Sequence, residues 1–291
     1  MKIIDAQIHD VGPWWDWTGE RPELQHRIIG EATIAYLDAI GVDSVVLFPG
    51  GHDEHAEWLS RELPDRFSYV PHISPDDADV DAAVETASRN PGVVGLRALI
   101  GWPMDGTEVR RHEAGAWDPV FAACERHKVP LFLFITGWLP HAADIAAHFP
   151  GMPLIIDHLG LRQPPLDTPD EPPFGKLPEL LSLARYPNVN VKLCGMPSMS
   201  KERFPYRDAD APLRAIVDAF GADRLLWASD ATRFVGRIGI GRYQNPRTME
   251  DYPGKHRYAE ALLFIRENEV LTAAEKQAIL GGAAQRVLNW P

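Results

Sequence analysis

The chain has very little cysteine. Only Cys124 and Cys194 occur among its 291 residues, and neither forms part of a C-x-x-C pair. Two isolated thiols cannot build the disulfide framework of a small secreted domain, nor a thiolate cage around a metal ion. We therefore expect both cysteines to be free and buried.

Long apolar runs and an excess of positive charge are also missing. No stretch approaches the ~18 consecutive apolar residues of a membrane span, and Met1-Lys2 leads straight into a strand-like segment instead of a signal peptide. The formal charge of −12 argues against a nucleic-acid partner, because such binding needs Lys and Arg on the phosphates. We expect a soluble, cytoplasmic protein that binds a small molecule, with homo-oligomerisation left open.

Eight short segments rich in Val, Ile, Leu and Phe have the character of β-strands. They are Ile3–His9, Ser44–Phe48, Tyr69–Ile73, Val93–Leu99, Leu131–Thr136, Leu154–His158, Val189–Cys194 and Leu225–Asp230. Segments with a helical apolar stripe lie between most of them, and no Gly/Ser linker or charge block divides the chain. This alternation predicts a single α/β domain over residues 1–291, a (β/α)8 TIM barrel, although an open doubly wound sheet would show the same pattern.

In such a barrel the functional residues stand at the carboxyl ends of the strands and in the loops that follow. The first strand carries Asp5, Gln7 and His9 on one face, because strand side chains alternate with a period of two. Ionisable or polar groups also occur in or at the end of later strands, and others lie in the loops after them. They are Arg97, His158, Lys192 and Asp230 in the strands, and Trp102 and Arg233 in the loops.

Several motifs resemble those of the amidohydrolase-related family of lactonases and decarboxylases. They are Gly95-Leu96-Arg97, Leu154-Ile155-Ile156-Asp157-His158-Leu159-Gly160, Val191-Lys192-Leu193-Cys194-Gly195, Leu226-Trp227-Ala228-Ser229-Asp230 and the closing Gly282-Ala283-Ala284-Gln285-Arg286-Val287-Leu288. The first strand is similar to the Asp-x-His-x-His opening of that superfamily. Two positions depart from the pattern: Gln7 replaces the first histidine of the pair, and Phe134 stands where metal-binding members have a histidine on the fifth strand.

The resemblance implies that a metal ion would be held by the first-strand pair, the fifth-strand histidine and the last-strand aspartate. Of these only His9 and Asp230 remain, with Gln7 as a third, neutral oxygen donor. Catalytic zinc usually has three strong protein ligands plus water. We therefore expect no cofactor, with zinc at Gln7, His9 and Asp230 as the disfavoured alternative.

The resemblance to the metal-free lactonases of the family assigns roles to the candidate residues. Asp230, His158 and His9 are the predicted catalytic residues, with Asp230 accepting a proton from water and His158 polarising the carbonyl or protonating the leaving oxygen. The predicted substrate-binding residues are Arg97, Gln7, Lys192, Arg233 and Trp102. For Arg97 a purely structural pairing with a carboxylate inside the barrel is an equal alternative.

Three functions stay open at this point. The first is a metal-independent hydrolase, a lactonase that opens a small anionic or sugar-derived lactone by water attack. The second is a metal-dependent non-oxidative decarboxylase or amidohydrolase that uses Gln7, His9 and Asp230 as ligands. The third is a non-catalytic relative that only binds a ligand, in which Gln7 and Phe134 mark a degraded metal site.

Overall fold

The structure, a computed structural model, describes residues 1–9, 22–49, 53–163, 168, 170–231 and 256–290. Eight parallel strands form the centre of this part of the chain. They are β1 (Ile4–Ile8), β2 (Ser44–Leu47), β3 (Phe67–Tyr69), β4 (Leu96–Ala98), β5 (Leu131–Leu133), β6 (Leu154–Ile156), β7 (Val189–Cys194) and β8 (Leu225–Ala228). Each predicted strand segment contains or overlaps one of them.

The strands pair in sequence order, and short bridges join the two sheets that they form. One sheet runs β1-β2-β3 and the other β4-β5-β6-β7-β8. Bridges at Tyr69↔Val93 and His72↔Arg97 connect β3 to β4, and a bridge at Ile8↔Ala231 connects the end of β8 back to β1. The sheet therefore closes on itself, and the prediction of a (β/α)8 TIM barrel is confirmed. That the whole chain is a single domain stays a prediction.

Helices surround the strands in the described part of the chain. They are α1 (Pro22–Ile40), α2 (Asp53–Glu62), α3 (Val80–Arg89), α4 (Thr107–Glu113), α5 (Asp118–His127), α6 (Leu139–His148), α7 (Leu177–Ser182), α8 (Met196–Met199), α9 (Asp210–Phe220), α10 (Tyr258–Arg266), α11 (Ala273–Gln277) and α12 (Ala283–Val287). None of the helices formed by these residues has the length and apolar character needed to cross a bilayer.

Two element boundaries differ from the sequence pattern for identifiable reasons. The third strand ends at Tyr69 rather than Ile73, because Pro71 has no N–H to donate and pairing continues only through the isolated bridge at His72. The last helix divides into α11 and α12 around a π-helical turn, Ala278–Gly282. In that turn Gly281 packs on the backbone of Lys2, where an added Cβ would lie only 2.0 Å from the carbonyl oxygen.

The core consists of apolar side chains from all eight strands and from the inner faces of the helices, and both cysteines are buried and free, as expected. Several charged and polar side chains are buried in the same interior. Asp5, Gln7, Asp157, Lys192 and Asp230 are each 0 % exposed. Buried charge is costly unless it is paired, so the partners of these groups define what the barrel interior can do.

Candidate active site

The first strand directs Gln7 and His9 toward the end of β8. The two strands run side by side here, with the Asp230 backbone N–H donating to the Gln7 carbonyl at 3.0 Å and the His9 N–H to the Ala231 carbonyl at 3.2 Å. His9 Nε2 lies 2.9 Å from Asp230 Oδ1. The closure of the barrel thus brings together residues that lie more than 220 positions apart in the chain.

Asp230 has an unusual backbone conformation. Its φ is 53°, in the left-handed region that a non-glycine residue rarely adopts. The preceding Ser229 fixes this turn, because its hydroxyl accepts from the Ala231 N–H at 2.9 Å and donates to Asp5 Oδ2 at 2.5 Å. Strain of this kind is concentrated at functional sites, where the surrounding structure must hold it in place.

The Gln7 side-chain amide lies between three polar groups. Its Nε2 is 2.7 Å from Asp230 Oδ1 and 3.2 Å from His9 Nε2, while its Oε1 accepts from the Lys192 ammonium. An ammonium group is only a donor, so the amide oxygen has to face Lys192. The amide nitrogen consequently faces the acid and the imidazole.

The surroundings of His9 determine which of its ring nitrogens carries a proton. Nδ1 lies 2.8 Å from the Phe48 carbonyl oxygen, which only accepts, so Nδ1–H is the donor there. Nε2 then faces both the Gln7 amide and Asp230 Oδ1. The contact of Nε2 with Asp230 Oδ1, at 2.9 Å, puts the acid directly beside a titratable imidazole.

A second buried acid, Asp157, is paired with two cations. Arg97 Nε lies 2.8 Å from Asp157 Oδ2, and Lys192 Nζ lies 2.5 Å from Asp157 Oδ1. Burial alone would raise the pKa of the Asp157 carboxyl, but Lys192 and Arg97 outweigh it and hold the pKa below its usual value. Burial lowers the pKa of the Lys192 ammonium, an effect that Asp157 opposes. The structural pairing left open for Arg97 is therefore present, and it extends to Lys192.

Aromatic rings contact both Arg97 and His158. The Arg97 guanidinium lies 5.0 Å from the Phe48 ring centroid and 5.5 Å from that of Phe134. Phe134, which replaces the fifth-strand histidine of the family pattern, meets the His158 ring edge to face at 5.8 Å. One terminal nitrogen of Arg97, Nη2, has no hydrogen-bond partner among the described residues. Arg97 thus keeps a donor for a further group.

His158 follows β6 in a left-handed turn, with φ of 51°. One of its ring nitrogens, a carboxylate oxygen of Asp230 and Cys194 Sγ all lie within 4.8 Å of one another. Burial lowers the pKa of the His158 imidazole to about 3, with Asp230 opposing the shift and Lys192 adding to it. His158 is therefore a neutral imidazole at physiological pH, suited to exchange hydrogen bonds rather than to carry charge.

The structure brings most of the predicted site residues together. Direct contacts join His9, Gln7 and Asp230. Lys192 contacts both Gln7 and Asp157, and Asp157 also pairs with Arg97. Trp102 is 49 % exposed, in the loop after β4. Arg233 lies outside the described residues. The catalytic and substrate-binding roles assigned to these seven residues and to His158 stay predictions.

Sequence reasoning missed the supporting role of Asp5. Its carboxylate accepts from the Gln7 N–H at 3.1 Å and from the Ser229 N–H at 2.9 Å, besides the Ser229 hydroxyl. Burial raises the pKa of Asp5 to about 6, and hydrogen bonds from Ser229 and Tyr258 work in the opposite direction. The strand alternation that puts Asp5 on the same face as Gln7 was the available signal. Asp5 thus fixes the backbone on both sides of the Gln7–Asp230 contact.

Two sets of side chains are candidates for a divalent ion. Gln7, His9 and Asp230 do not fit, because the Gln7 oxygen is taken by Lys192 and its NH2 group faces the other two donors. His158, Cys194 and Asp230 fit in donor type, since imidazole, thiolate and carboxylate all bind zinc. Burial raises the pKa of the Cys194 thiol well above its usual value, however, which disfavours the thiolate that a metal needs.

Comparison with known proteins places the chain in a family. A family model described as Amidohydrolase matches residues 4–290. The chain belongs to the amidohydrolase family. Its membership confirms the resemblance carried by the strand-end motifs, and with it the expectation of an enzyme rather than a protein that only binds a ligand.

Individual relatives are more distant. The L-fucono-1,5-lactonase of Burkholderia ambifaria is 27 % identical over 167 residues, which cover 55 % of this chain and 54 % of that protein, so the match spans about half the length of the curated relative. An amidohydrolase from Burkholderia multivorans solved with bound zinc is 19 % identical with a TM-score of 0.73, each chain covered completely. The 5-carboxyvanillate decarboxylase of Sphingomonas paucimobilis is 14 % identical with a TM-score of 0.60, covering 100 % of this chain and 99 % of that one. These two structures share the fold.

Proposed function

We propose that the protein is a metal-independent lactonase that opens a small anionic or sugar-derived lactone by the attack of water. The observation that carries the proposal is the Gln7 amide, whose NH2 group faces Asp230 Oδ1 at 2.7 Å and His9 Nε2 at 3.2 Å. A carboxylate that accepts a hydrogen bond from an amide and lies beside a titratable imidazole can accept a proton, which is what a general base must do.

In the proposed reaction a water oxygen attacks the lactone carbonyl carbon while the proton of that water passes to Asp230. The ring C–O bond then breaks, and the leaving oxygen takes the proton back, which yields a hydroxy acid. Neutral His158 donates a hydrogen bond to the carbonyl or ring oxygen. Its low pKa, about 3, argues against the charged imidazolium as the acid.

Arg97 supplies the fixed positive charge. Its Nε is committed to Asp157, but Nη2 has no partner among the described residues and is available to the developing oxyanion or to a substrate carboxylate. The curated relative that acts on a sugar-derived lactone supports the lactone class, because its match includes an aligned half of this chain. Arg233 and Trp102 are proposed as further substrate-facing groups on the sequence pattern, whereas the Lys192 ammonium of the same pattern contacts Gln7 and Asp157.

A metal-dependent decarboxylase or amidohydrolase is the second candidate, and one observation favours it. His158, Cys194 and Asp230 offer three zinc-binding atoms within 4.8 Å of one another. A divalent ion bound there would supply Lewis acidity. Lys192 and Arg97 oppose this candidate, since both add positive charge beside the same imidazole.

A lactone panel assayed beside metal analysis separates the two candidates. The panel should contain sugar-derived 1,4- and 1,5-lactones and carboxylated lactones, with protein purified without added metal and then dialysed against a strong chelator. We expect hydrolysis of at least one lactone with turnover unchanged by the chelator and less than stoichiometric metal. Loss of turnover in chelator that zinc restores would establish the metal-dependent candidate instead.

A further inference from the structure

We infer that Lys192 is the built-in cation of this site and that Gln7 transmits its charge to Asp230 and His9, in the place where a divalent ion would bridge these two residues. The inference deepens the proposed function, on which it rests, because it names what substitutes for a metal in the same site. Lys192 acts through Gln7 and is therefore a positioning residue.

The first step is the location of the Gln7 amide nitrogen. A metal ion shared by His9 and Asp230 would need His9 Nε2 and an Asp230 oxygen as ligands, and Nε2 lies 2.9 Å from Asp230 Oδ1. The Gln7 NH2 group already contacts these two atoms, at 3.2 Å and 2.7 Å. The Gln7 NH2 group thus stands against both atoms that the metal would need, and it donates to Asp230 Oδ1.

The second step is the orientation of that amide, which Lys192 determines. The ammonium is fully buried and donates to Gln7 Oε1, so the amide cannot turn its oxygen toward the site without placing its NH2 against a cation. Lys192 is itself held in place. Its Nζ lies 2.5 Å from Asp157 Oδ1 and 4.3 Å from the Phe48 ring centroid. A polarised chain of this kind strengthens the donors at its far end.

The third step is the charge of the buried cluster. Arg97 and Lys192 share the single carboxylate of Asp157, which leaves one positive charge in excess. The Asp230 carboxylate, reached through Gln7, offsets it. A divalent ion at His9 and Asp230 would add two further positive charges beside two buried cations, at a location where unmatched charge is strongly unfavourable.

Zinc affinity is the direct test, and it requires no substrate. Metal-free wild type, Lys192→Met and Arg97→Met are titrated with zinc against a chromophoric chelator, after thermal unfolding has shown that each variant is folded. Both substitutions leave Asp157 with one cation, but only Lys192 contacts Gln7, so Arg97→Met is the matched control. We expect Lys192→Met to bind zinc at least about 10-fold more tightly than wild type and than Arg97→Met, the size typical of changes beside metal ligands.

Two results would overturn the inference. One is an equal zinc affinity in wild type and Lys192→Met; the other is an equal gain in both variants, which would indicate general charge rather than the contact with Gln7. If Lys192→Met does not fold, Lys192→Gln carries the same test, because it keeps a donor toward Gln7 and removes the charge. Adding Gln7→His to Lys192→Met or to Lys192→Gln should tighten zinc binding by more than Gln7→His does in wild type.

Kinetics on a cleaved lactone give an independent readout. Since Lys192 contacts Gln7 and Asp157 in the described structure, its replacement should lower kcat more than it raises KM, and Lys192→Gln should recover part of the loss. A change in KM alone would place Lys192 on the substrate and overturn its positioning role. If no lactone is hydrolysed while the zinc affinities follow the expected order, the proposed function fails and the inference about Lys192 stands.

Discussion

Two buried aspartates at the same end of the barrel have opposite surroundings. Asp157, after β6, is clamped by the cations of Arg97 and Lys192, whereas Asp230, after β8, is held by the Gln7 amide and the His9 imidazole. Fixed cations keep Asp157 ionised and hold its protonation state constant. Asp230 has neutral and titratable partners instead, and in the proposed reaction it is the acid that gains and loses a proton. The same residue type is thus paired with fixed cations in one place and with uncharged donors in the other.

The largest expected effect is a loss of turnover when the proposed proton acceptor, Asp230, is replaced. Asp230→Asn keeps a side chain of nearly the same shape but cannot accept the proton of water. We expect kcat on a cleaved lactone to fall by about 10²–10⁴-fold, the usual contribution of a general base, with a melting temperature close to that of wild type. Turnover near the wild-type level would remove Asp230 as the base.

The next effect is a loss of stability when the carboxylate that pairs with two buried cations, Asp157, is replaced. Asp157→Asn leaves Arg97 and Lys192 buried without a matching charge, which should lower the free energy of unfolding by about 3–5 kcal/mol in chemical denaturation. Asp81→Asn is the matched control, because Asp81 pairs with Arg126 at the surface. The control should cost less than about 1 kcal/mol. Equal losses in the two variants would contradict a structural role for the buried pair.

The strands and their order could be predicted from the sequence. Short runs of Val, Ile, Leu and Phe recur along the chain, and the segments between most of them have the apolar pattern and length of helices. The convergence of His9, His158 and Asp230 followed from the same pattern, since parallel strands end at one edge. The pairing of Arg97 and Lys192 with Asp157 did not follow. It depends on which rotamers reach across the interior between β4, β6 and β7, and hydrophobic periodicity contains no information about rotamers.

Local backbone geometry was equally inaccessible from the pattern. The segment Leu154–His158 was predicted as one strand, but β6 ends at Ile156 and His158 adopts a left-handed conformation. Similarly, the predicted strand end at Asp230 is a left-handed turn fixed by Ser229 and Asp5. These turns redirect the two candidate catalytic side chains. Tertiary hydrogen bonds with Asp5 impose the turn at Asp230, rather than local propensity.

The third prediction concerns how the free energy of unfolding depends on pH through His158, which lies near Asp230. Its pKa is 6.5 when exposed and about 3 in the folded protein, so the unfolded chain binds more protons between these values and stability falls as the pH drops through this window. From pH 7 to pH 5 His158 should cost wild type about 2 kcal/mol. His158→Asn, which tolerates the left-handed backbone, should escape this loss.

Asp5 provides the opposite sign in the same experiment. Its pKa is raised to about 6 in the folded protein, so acidification from pH 7 to pH 5 stabilises the fold through Asp5. The measurement is therefore the difference between wild type and His158→Asn in the free energy of unfolding at the two pH values, with Asp5 present in both. Identical changes in the two proteins would show that His158 is protonated in the fold at pH 5.

The smallest effect compares two buried serines, Ser229 after β8 and Ser198 in α8. Ser229 donates to Asp5 and accepts from the Ala231 N–H, whereas the Ser198 hydroxyl has no hydrogen-bond partner among the described residues. Ser229→Ala removes a donor from a buried carboxylate and should cost about 1–3 kcal/mol, while Ser198→Ala should change stability by less than about 0.5 kcal/mol.

Because Ser229 also holds the turn at Asp230, its alanine variant should lose turnover as well as stability. Ser198→Ala measures how much of that loss comes from deleting a buried hydroxyl alone. A Ser229→Ala enzyme with full turnover would mean that the left-handed turn at Asp230 is held by the β1–β8 backbone hydrogen bonds without help from the Asp5 network.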